Sequence, residues 1–454
     1  MRDKREFASE VISLALKSGA EQAEVYLKSA GSLTLEVKNQ EIDAVESSLS
    51  FGYSLRIIKN QRLGFSYSTS DSETGTVVKN AIESSEWSDA DEYLGLPSNS
   101  RHEALGTGRL DSLEIFDKEI EALKEEEAIT YVLTIEKAAK DFDNRIKKIR
   151  KASATFTNGE IYVLNSNGVD IFYPYTKCIA QVMAVAEENG EGQMGWDFNG
   201  SRFLKDLSFD EIGRNAAKRA VQLLGSRKIS TAKVPVILDN SVVSEFLGIL
   251  ASSLSAESVQ KGRSLLKDKI GHKVMASGIN IVDSGITPRR LGTVPVDGEG
   301  VATSEKVLIR EGILQHYLHN TYTAKKAGVN STGNAVRGGY SGLPSVGITN
   351  LSISAVSASD VMPFISLLNS LDNGLYITEA MGVHTANPIS GEFSVGVSGL
   401  WIERGKVKFP VKEAVISGDM LSLFSKIEAI GDDLRFYGNI GTPSLLIGPT
   451  DISA

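Results

Sequence analysis

Arg62-Leu63-Gly64-Phe65-Ser66-Tyr67, set against Met194-Gly195-Trp196-Asp197-Phe198, decides how this chain folds. Each is a short strand-like run with a glycine ahead of an aromatic residue, and each leads into an amphipathic helix. The first helix carries Val77, Val78 and Ile82, with Asp71 or Ser72 as its cap, and the second covers about 210–224. Upstream of the first run, 23–26, 33–37 and 53–58 read as strands, with Lys59-Asn60-Gln61 as a turn. Upstream of the second, 152–156, 161–164 and 179–186 read as strands, with a turn at Asn165-Ser166-Asn167-Gly168. Phe7, Val11, Leu14 and Ala15 recur at helical spacing ahead of the first set, and a charged helical segment over about 113–142 precedes the second. The order helix, strands, glycine-aromatic strand, helix therefore occurs twice, a weak internal duplication. Links of this length suit antiparallel neighbours rather than parallel crossovers, so the expected class is α+β.

The polar stretch 88–109, with Pro97, Ser98, Asn99 and Ser100, reads as an exposed loop, and 226–233 as a linker. Beyond the linker, a helix capped near Asp239 to Ser241 carries Phe246, Leu247, Leu250 and Leu254 as one apolar stripe. After Lys273, short apolar runs are punctuated by Ser284-Gly285, Asp297-Gly298-Glu299-Gly300, Arg310-Glu311-Gly312, Glu403-Arg404-Gly405 and Ser417-Gly418. That density of turns predicts a β-rich half with a curled or barrel-like sheet, interrupted by two shorter helices at about 318–327 and 358–368. The expected division is an amino-terminal α+β domain, 1–226, and a carboxy-terminal β-rich domain, 227–454.

Of 454 residues, 48 are Lys or Arg and 57 Asp or Glu, giving a net charge of −9 that opposes binding along a phosphate backbone. No direct nucleic-acid partner is expected. A single Cys cannot form an intrachain disulfide, which fits a reducing compartment. The charged opening Met-Arg-Asp-Lys-Arg-Glu leads into an amphipathic helix rather than an apolar leader, and no run approaches the length of a membrane span. A soluble, cytoplasmic protein is expected.

Short motifs carry little chemistry. Arg101-His102-Glu103 starts like a zinc peptidase helix, but no second His follows before His272. His316 and His319, three apart, supply two of the three or four ligands zinc takes. His384 sits in a loop, where binding groups concentrate. Cys178 falls in an apolar strand pattern, the setting of an inert core thiol. Gly396-Val397-Ser398-Gly399 lacks nucleophile-elbow spacing, and Arg337-Gly338-Gly339-Tyr340-Ser341-Gly342 lacks the Lys-Ser/Thr of a phosphate loop.

Longer motifs carry more. Gly374-Leu375-Tyr376-Ile377-Thr378-Glu379, Met381-Gly382-x-His384-Thr385-x-Asn387-Pro388-x-Ser390-Gly391-Glu392-Phe393-Ser394 and Gly399-x-Trp401-Ile402-Glu403-x-Gly405 closely resemble the TldD/PmbA family. The likeness is to its PmbA, or TldE, branch, long labelled modulators of DNA gyrase. Arg227-Lys228 before Pro235-Val236, Asn320-x-Tyr322-Thr323-Ala324-Lys325-Lys326, Thr332-Gly333-Asn334-Ala335 and Gly431-Asp432-Asp433-Leu434 extend it over essentially the whole chain.

The resemblance implies a heterodimeric zinc peptidase acting on unfolded peptides. Its TldD-type subunit bears His-Glu-x-x-x-His on a helix plus a distant Cys. At the corresponding place this chain reads Ser244-Glu245-Phe246-Leu247-Gly248-Ile249, so Glu245 remains while Ser244 and Ile249 replace both histidines. Positions five apart on a regular helix differ by about 140°, so a neighbour does not readily rebuild the site. No metal is therefore expected on this chain, with zinc implied in a TldD-type partner. Motif density makes the loop residues Gly382, His384, Thr385, Asn387, Pro388, Ser390 and Gly391 candidate contacts to peptide or partner, and Arg337, Gly338 and Gly339 join them because a flexible glycine-rich loop suits clamping an extended ligand. Two alternatives remain open. One is a non-enzymatic peptide-binding or gyrase-modulating homodimer, and the other is independent hydrolysis through His316, His319 or His384 with an acid such as Asp283.

Overall fold

The computed structural model describes residues 3–98 and 107–453. The His102-Glu103 pair lies outside the described residues.

The amino-terminal half is built twice over. Helix α1 (Lys4–Lys17) leads to strands β1 (Gln22–Lys38), β2 (Glu41–Lys59) and β3 (Arg62–Ser68) and helix α2 (Thr74–Trp87). After short helices α3 (Thr107–Leu113) and α4 (Lys118–Glu121), the order recurs as helix α5 (Glu125–Phe142), strands β4 (Ile146–Asn165), β5 (Asp170–Glu188) and β6 (Glu191–Ser201), and helix α6 (Phe209–Gln222). The six strands form one antiparallel sheet in the order β3-β2-β1-β4-β5-β6, so the two meanders meet symmetrically at β1 and β4. Two-residue turns with left-handed backbone at both positions close three of the hairpins: Asn39-Gln40, Asn60-Gln61 and Asn189-Gly190. Phe7, Val11, Val77 and Val78 of α1 and α2 pack on one half of the sheet, and Val132, Ile135, Ile212 and Ala216 of α5 and α6 on the other.

The duplicated glycines have one physical role. A Cβ on Gly64 would stand 2.1 Å from the Ala81 carbonyl oxygen in α2, and one on Gly195 2.2 Å from that of Ala216 in α6. Each helix lies on its strand too closely for any side chain.

The carboxy-terminal half begins with β7 (Ala232–Leu238) and α7 (Asn240–Ser253), followed by α8 (Ala256–Gln260), β8 (Ile279–Ser284), β9 (Glu305–Arg310), β10 (Ile313–Leu314) and α9 (Thr321–Ala327). Then come β11 (Ala335–Val336), β12 (Ser345–Val346), β13 (Leu351–Ala355), β14 (Val361–Met362), α10 (Phe364–Ser370), β15 (Asn373–Met381), β16 (Glu392–Glu403) and β17 (Lys406–Asp419). Helix α11 (Met420–Ser425) and strands β18 (Ile427–Gly431), β19 (Arg435–Tyr437), β20 (Ile440–Thr442) and β21 (Leu445–Ser453) complete the chain. Strands β7, β15, β16, β17 and β21 close on themselves through the β21–β7 pairing, the barrel-like sheet the turns foretell. A second sheet runs β10-β9-β8-β13-β20-β19. Phe246, Leu247, Leu250 and Leu254, on and just beyond α7, are fully buried in the core shared with Leu238, Ile281, Leu308 and Phe393.

Several expected boundaries differ. The strands at 23–26 and 33–37 are one continuous β1, because pairing with β4 runs unbroken from Glu24 to Val37 and the hydroxyl of Ser32 in the gap meets Thr157 at 3.1 Å, as Thr34 meets Thr155 at 3.0 Å just beyond it. The segment 113–142 divides into separate helices where Asp117 caps α4 and the extended Lys124 starts α5. Glu73, rather than Asp71 or Ser72, precedes α2. Asn320 caps α9, and Pro363 sets the start of α10, so both begin later than periodicity suggests. The presumed linker is partly structured, since Arg227 bridges to Val411 and β7 starts at Ala232.

Candidate functional site

Helix α7 starts where Asp239 ends β7. The Asp239 carboxylate accepts the Ser241 N–H at 3.0 Å, receives Arg219 from α6 at 2.9 Å, and takes the Tyr376 hydroxyl from β15. Burial alone would raise its pKa, but Arg219 and these donors outweigh it and hold the carboxyl below its usual range.

Glu245 stands on the next turn, half-buried, and among the described residues no hydrogen-bond or ion-pair partner meets it. Burial, then the charge of Glu379 on β15, pushes its carboxyl up to about 7. Glu379 is raised as well: burial comes first, Arg219 opposes it and Asp239 adds to it. Two under-compensated carboxyls thus face each other beside the motif helix.

The positions flanking Glu245 do not complete a metal site. Ser244 is buried, its hydroxyl donating to the Ser241 carbonyl at 2.7 Å, and Ile249 packs against the barrel core. Among the described residues no group of three or more His, Cys, Asp or Glu is arranged to hold a metal ion. Two acids with a serine and an isoleucine do not fit the donor set of a catalytic zinc.

The Gly382–Gly391 loop packs against α7. Gly382 takes a left-handed backbone ahead of the turn Val383–Thr385, which leaves His384 exposed. The Asn387 side chain accepts the Ile389 and Ser390 N–H groups at 2.9 and 3.2 Å, and the Pro388 carbonyl accepts the Ser253 hydroxyl at 3.1 Å. Thr385 bonds back to the Gly382 carbonyl, and Gly391, also left-handed, bonds to Asn387. A pre-shaped, solvent-facing turn is fixed onto the last turn of the motif helix.

The glycine-rich loop divides. The Arg337 guanidinium is buried against Glu24 of β1 and over the Tyr26 ring, with further donation to the Gly298 carbonyl at 2.7 Å. Gly338 and Gly339 leave open space around their backbones. Leu343 and Pro344 line a cavity of about 550 Å³ with Asp91, Tyr322 and Lys326. Val346 to Ile348 line one of about 460 Å³ with Gly248 and Ser252 of α7 and Glu257 and Lys261. Of the stretches singled out in the sequence, the Gly382–Gly391 loop borders α7, whereas Arg337 is committed to internal partners and only the residues following the glycine-rich stretch, Val346 to Ile348, reach α7.

The remaining candidates stand apart. Asp283 is buried and fully engaged by Lys306, Asn334 and Thr349, and among the described residues no histidine pairs with it. His319 is buried with Nδ1 unpartnered, while His316 is exposed. Burial pushes the Cys178 thiol far up, as for an inert core group. Sequence reading missed Arg219, Asp239 and Glu379 as neighbours of Glu245. The one local signal was Asp239 ahead of the helix, since the other two arrive from α6 and β15.

Family models for the PmbA/TldA metallopeptidases match three stretches: domain 1 over residues 23–86, the central domain over 118–224, and the C-terminal domain over 231–454. A protein of Buchnera aphidicola named a metalloprotease PmbA homolog is 31% identical over 438 residues, 95% of this chain and 92% of that protein. A metalloprotease TldD homolog of Haemophilus influenzae is 28% identical over 333 residues, 71% of this chain and 68% of its own length. A crystal structure from Thermotoga maritima, described as a modulator of a DNA gyrase, superposes with a TM-score of 0.89 at 26% identity, covering 99% of this chain and 100% of that one. With profiles along its length and a homologue matched nearly end to end, the chain belongs to the PmbA/TldD metallopeptidase family.

Proposed function

We propose that this chain is the non-metal, PmbA/TldE-type subunit of a heterodimeric TldD/TldE zinc peptidase that degrades or processes unfolded peptides. The observation that carries the reading is α7, where the motif acid Glu245 survives between a buried serine and a core isoleucine. Zinc then belongs to the TldD-type partner, and this chain helps to hold peptide. The solvent-facing Gly382–Gly391 turn and the open backbone at Gly338 and Gly339 are the surfaces offered for that. Backbone-mediated capture of an extended chain tolerates sequence variation, as broad processing requires. We assign the chain to the cytoplasm, divided at 226/227 into two domains. Among the described residues, no helix is long and apolar enough to cross a membrane.

The test is metal analysis and unfolded-peptide cleavage by the purified chain, alone and mixed with a TldD-type partner. Cleavage and stoichiometric zinc only in the mixture are expected. Zinc bound by the lone chain, with cleavage abolished by Glu245→Ala, overturns the reading. Failure to associate with any TldD-type chain, together with peptide binding as a homodimer, replaces it with the non-enzymatic binder.

A further inference from the structure

Asn320, Tyr322, Thr323 and Lys326, all from one motif at the start of α9, border the cavity of about 550 Å³. That cavity lies at the junction of the two halves. Leu63 of β3, with Asp91 and Leu94 beyond α2, lines it from the amino-terminal half, and α8, α9 and Leu343-Pro344 line it from the carboxy-terminal half. Gly338, Gly339 and Gly342, each with open space around the backbone, lead directly to the Leu343-Pro344 wall.

Asn320 is only 5% exposed. Its Oδ1 caps α9, accepting the Thr323 N–H and hydroxyl at 2.9 Å each, whereas its Nδ2 has no acceptor among the described residues and is left to the cavity. A buried amide donor without a partner is costly until an oxygen arrives. Gln260, held to the same Thr323, supplies the complement: its Nε2 donates to the Thr323 carbonyl at 2.8 Å, and among the described residues no donor reaches its Oε1. The charges around the cavity are already matched. Arg56 pairs with Glu299 at 2.8 Å and with Glu24, Lys261 pairs with Glu257, and Asp91 accepts the Tyr322 hydroxyl at 2.8 Å. Asp89 and Lys326 are exposed and keep their water. A charged group entering the cavity would lose hydration without meeting an uncommitted buried counter-ion. A neutral donor, a neutral acceptor and the apolar surfaces of Leu63, Leu94, Leu343 and Pro344 remain.

We infer that this cavity binds an uncharged, apolar residue of a peptide, with a backbone carbonyl accepting from Asn320 and a backbone N–H donating to Gln260. That the occupant is a peptide rests on the peptide-holding reading; that it is uncharged, apolar and amide-bearing rests on the cavity itself. A peptide group satisfies both open amide atoms at once, and an aliphatic side chain covers the leucines. The volume falls within the range of roughly 300–1,000 Å³ typical of ligand pockets. Because its walls come from both halves, the occupant also bridges them.

Two measurements on the full chain test it. In the first, leucine methyl resonances are followed by NMR while N-acetyl-leucine N-methylamide is titrated in. The signals of Leu63, Leu94 and Leu343, assigned through their methionine variants, are expected to move saturably, and that of exposed Leu434 is not. In the second, calorimetry compares pentapeptides blocked at both ends, with leucine, glutamate or lysine between flanking alanines. About tenfold tighter binding of the leucine peptide is expected. Leu343→Trp, which fills the cavity from a side chain 42% exposed and so leaves the fold intact, should remove that preference. Asn320→Asp keeps the capping oxygen but replaces the Nδ2 donor with an acceptor, and should weaken binding of both leucine probes about tenfold. Cavity leucines that do not shift saturably, charged peptides bound as tightly as the leucine peptide, or a preference surviving in Leu343→Trp overturn the site. Unchanged affinity in Asn320→Asp overturns the amide contact. Saturable binding of the small amide without binding of any peptide leaves the cavity site standing and overturns the peptide-holding reading and the ligand assigned from it.

Discussion

Glu245 carries a carboxyl that the fold does not balance with a cation, and this has a measurable consequence. Its pKa rises from the ordinary 4.5 to about 7 on folding, so the folded state favours the protonated form. The sign follows directly: stability is greatest below about pH 4.5 and declines as pH rises through about 7, as the buried carboxylate is forced to ionise. Glu245→Gln should abolish that decline and raise the unfolding free energy at pH 8 by on the order of 2 kcal/mol, after allowance for its partial exposure. Urea titrations at pH 5 and pH 8 check it; parallel pH dependence in both proteins would exclude the assignment. Arg219→Met should act in the opposite direction, leaving buried Asp239 without its cation at a cost of about 3 kcal/mol. Urea midpoints read this effect, and a loss no larger than that from Lys79→Met on the surface would argue against it.

At the scale of elements, the glycine before the aromatic residue is what the sequence made legible, because close helix-on-strand contact admits no other residue in either repeat. Gly195→Ala would drive Cβ to within 2.2 Å of the Ala216 oxygen and 2.3 Å of the Ala220 nitrogen, both backbone atoms that cannot rotate away. A loss of about 3 kcal/mol or more is expected, read as a lower thermal midpoint. Gly75→Ala, in the first turn of α2 with nothing within 4 Å, should instead add up to about 1 kcal/mol. Equal effects at the two positions would refute the close-approach account. Strand lengths were less legible. β1 carries Ser29 to Ser32 at its middle, which reads as a break until paired hydroxyls on β4 are seen to receive it. Helix starts failed for a related reason: Asn320 and Pro363 act through capping and backbone restriction that outrank apolar spacing.

For the whole molecule, what joins the halves could not be read from sequence at all, because its members are hundreds of residues apart and each alone looks like ordinary surface charge. The same holds at the site: α7 was legible from its apolar stripe and Glu245 from the family resemblance, whereas Glu379 and Arg219 reach it only through the closed barrel and the packed α6. Between the halves, Arg56 of β2 donates to Glu24 at 2.7 and 3.1 Å and to Glu299 at 2.8 Å, while Arg337 returns to Glu24. All four side chains are almost wholly buried. Two cations and two acids balance, so the network costs little while intact, but removing one member strands charge in a dry interface. Arg56→Met should therefore cost about 3–5 kcal/mol and weaken the coupling between halves. Trp196 reports on the amino-terminal half and Trp401 on the barrel, so single-tryptophan versions of the chain follow each half separately during urea unfolding. In the parent protein the two transitions should coincide, and in Arg56→Met they should separate, the amino-terminal transition moving to lower urea. Coincident transitions in the variant, with a midpoint shifted no more than by Lys79→Met on the surface of α2, would show that apolar contact alone holds the halves together.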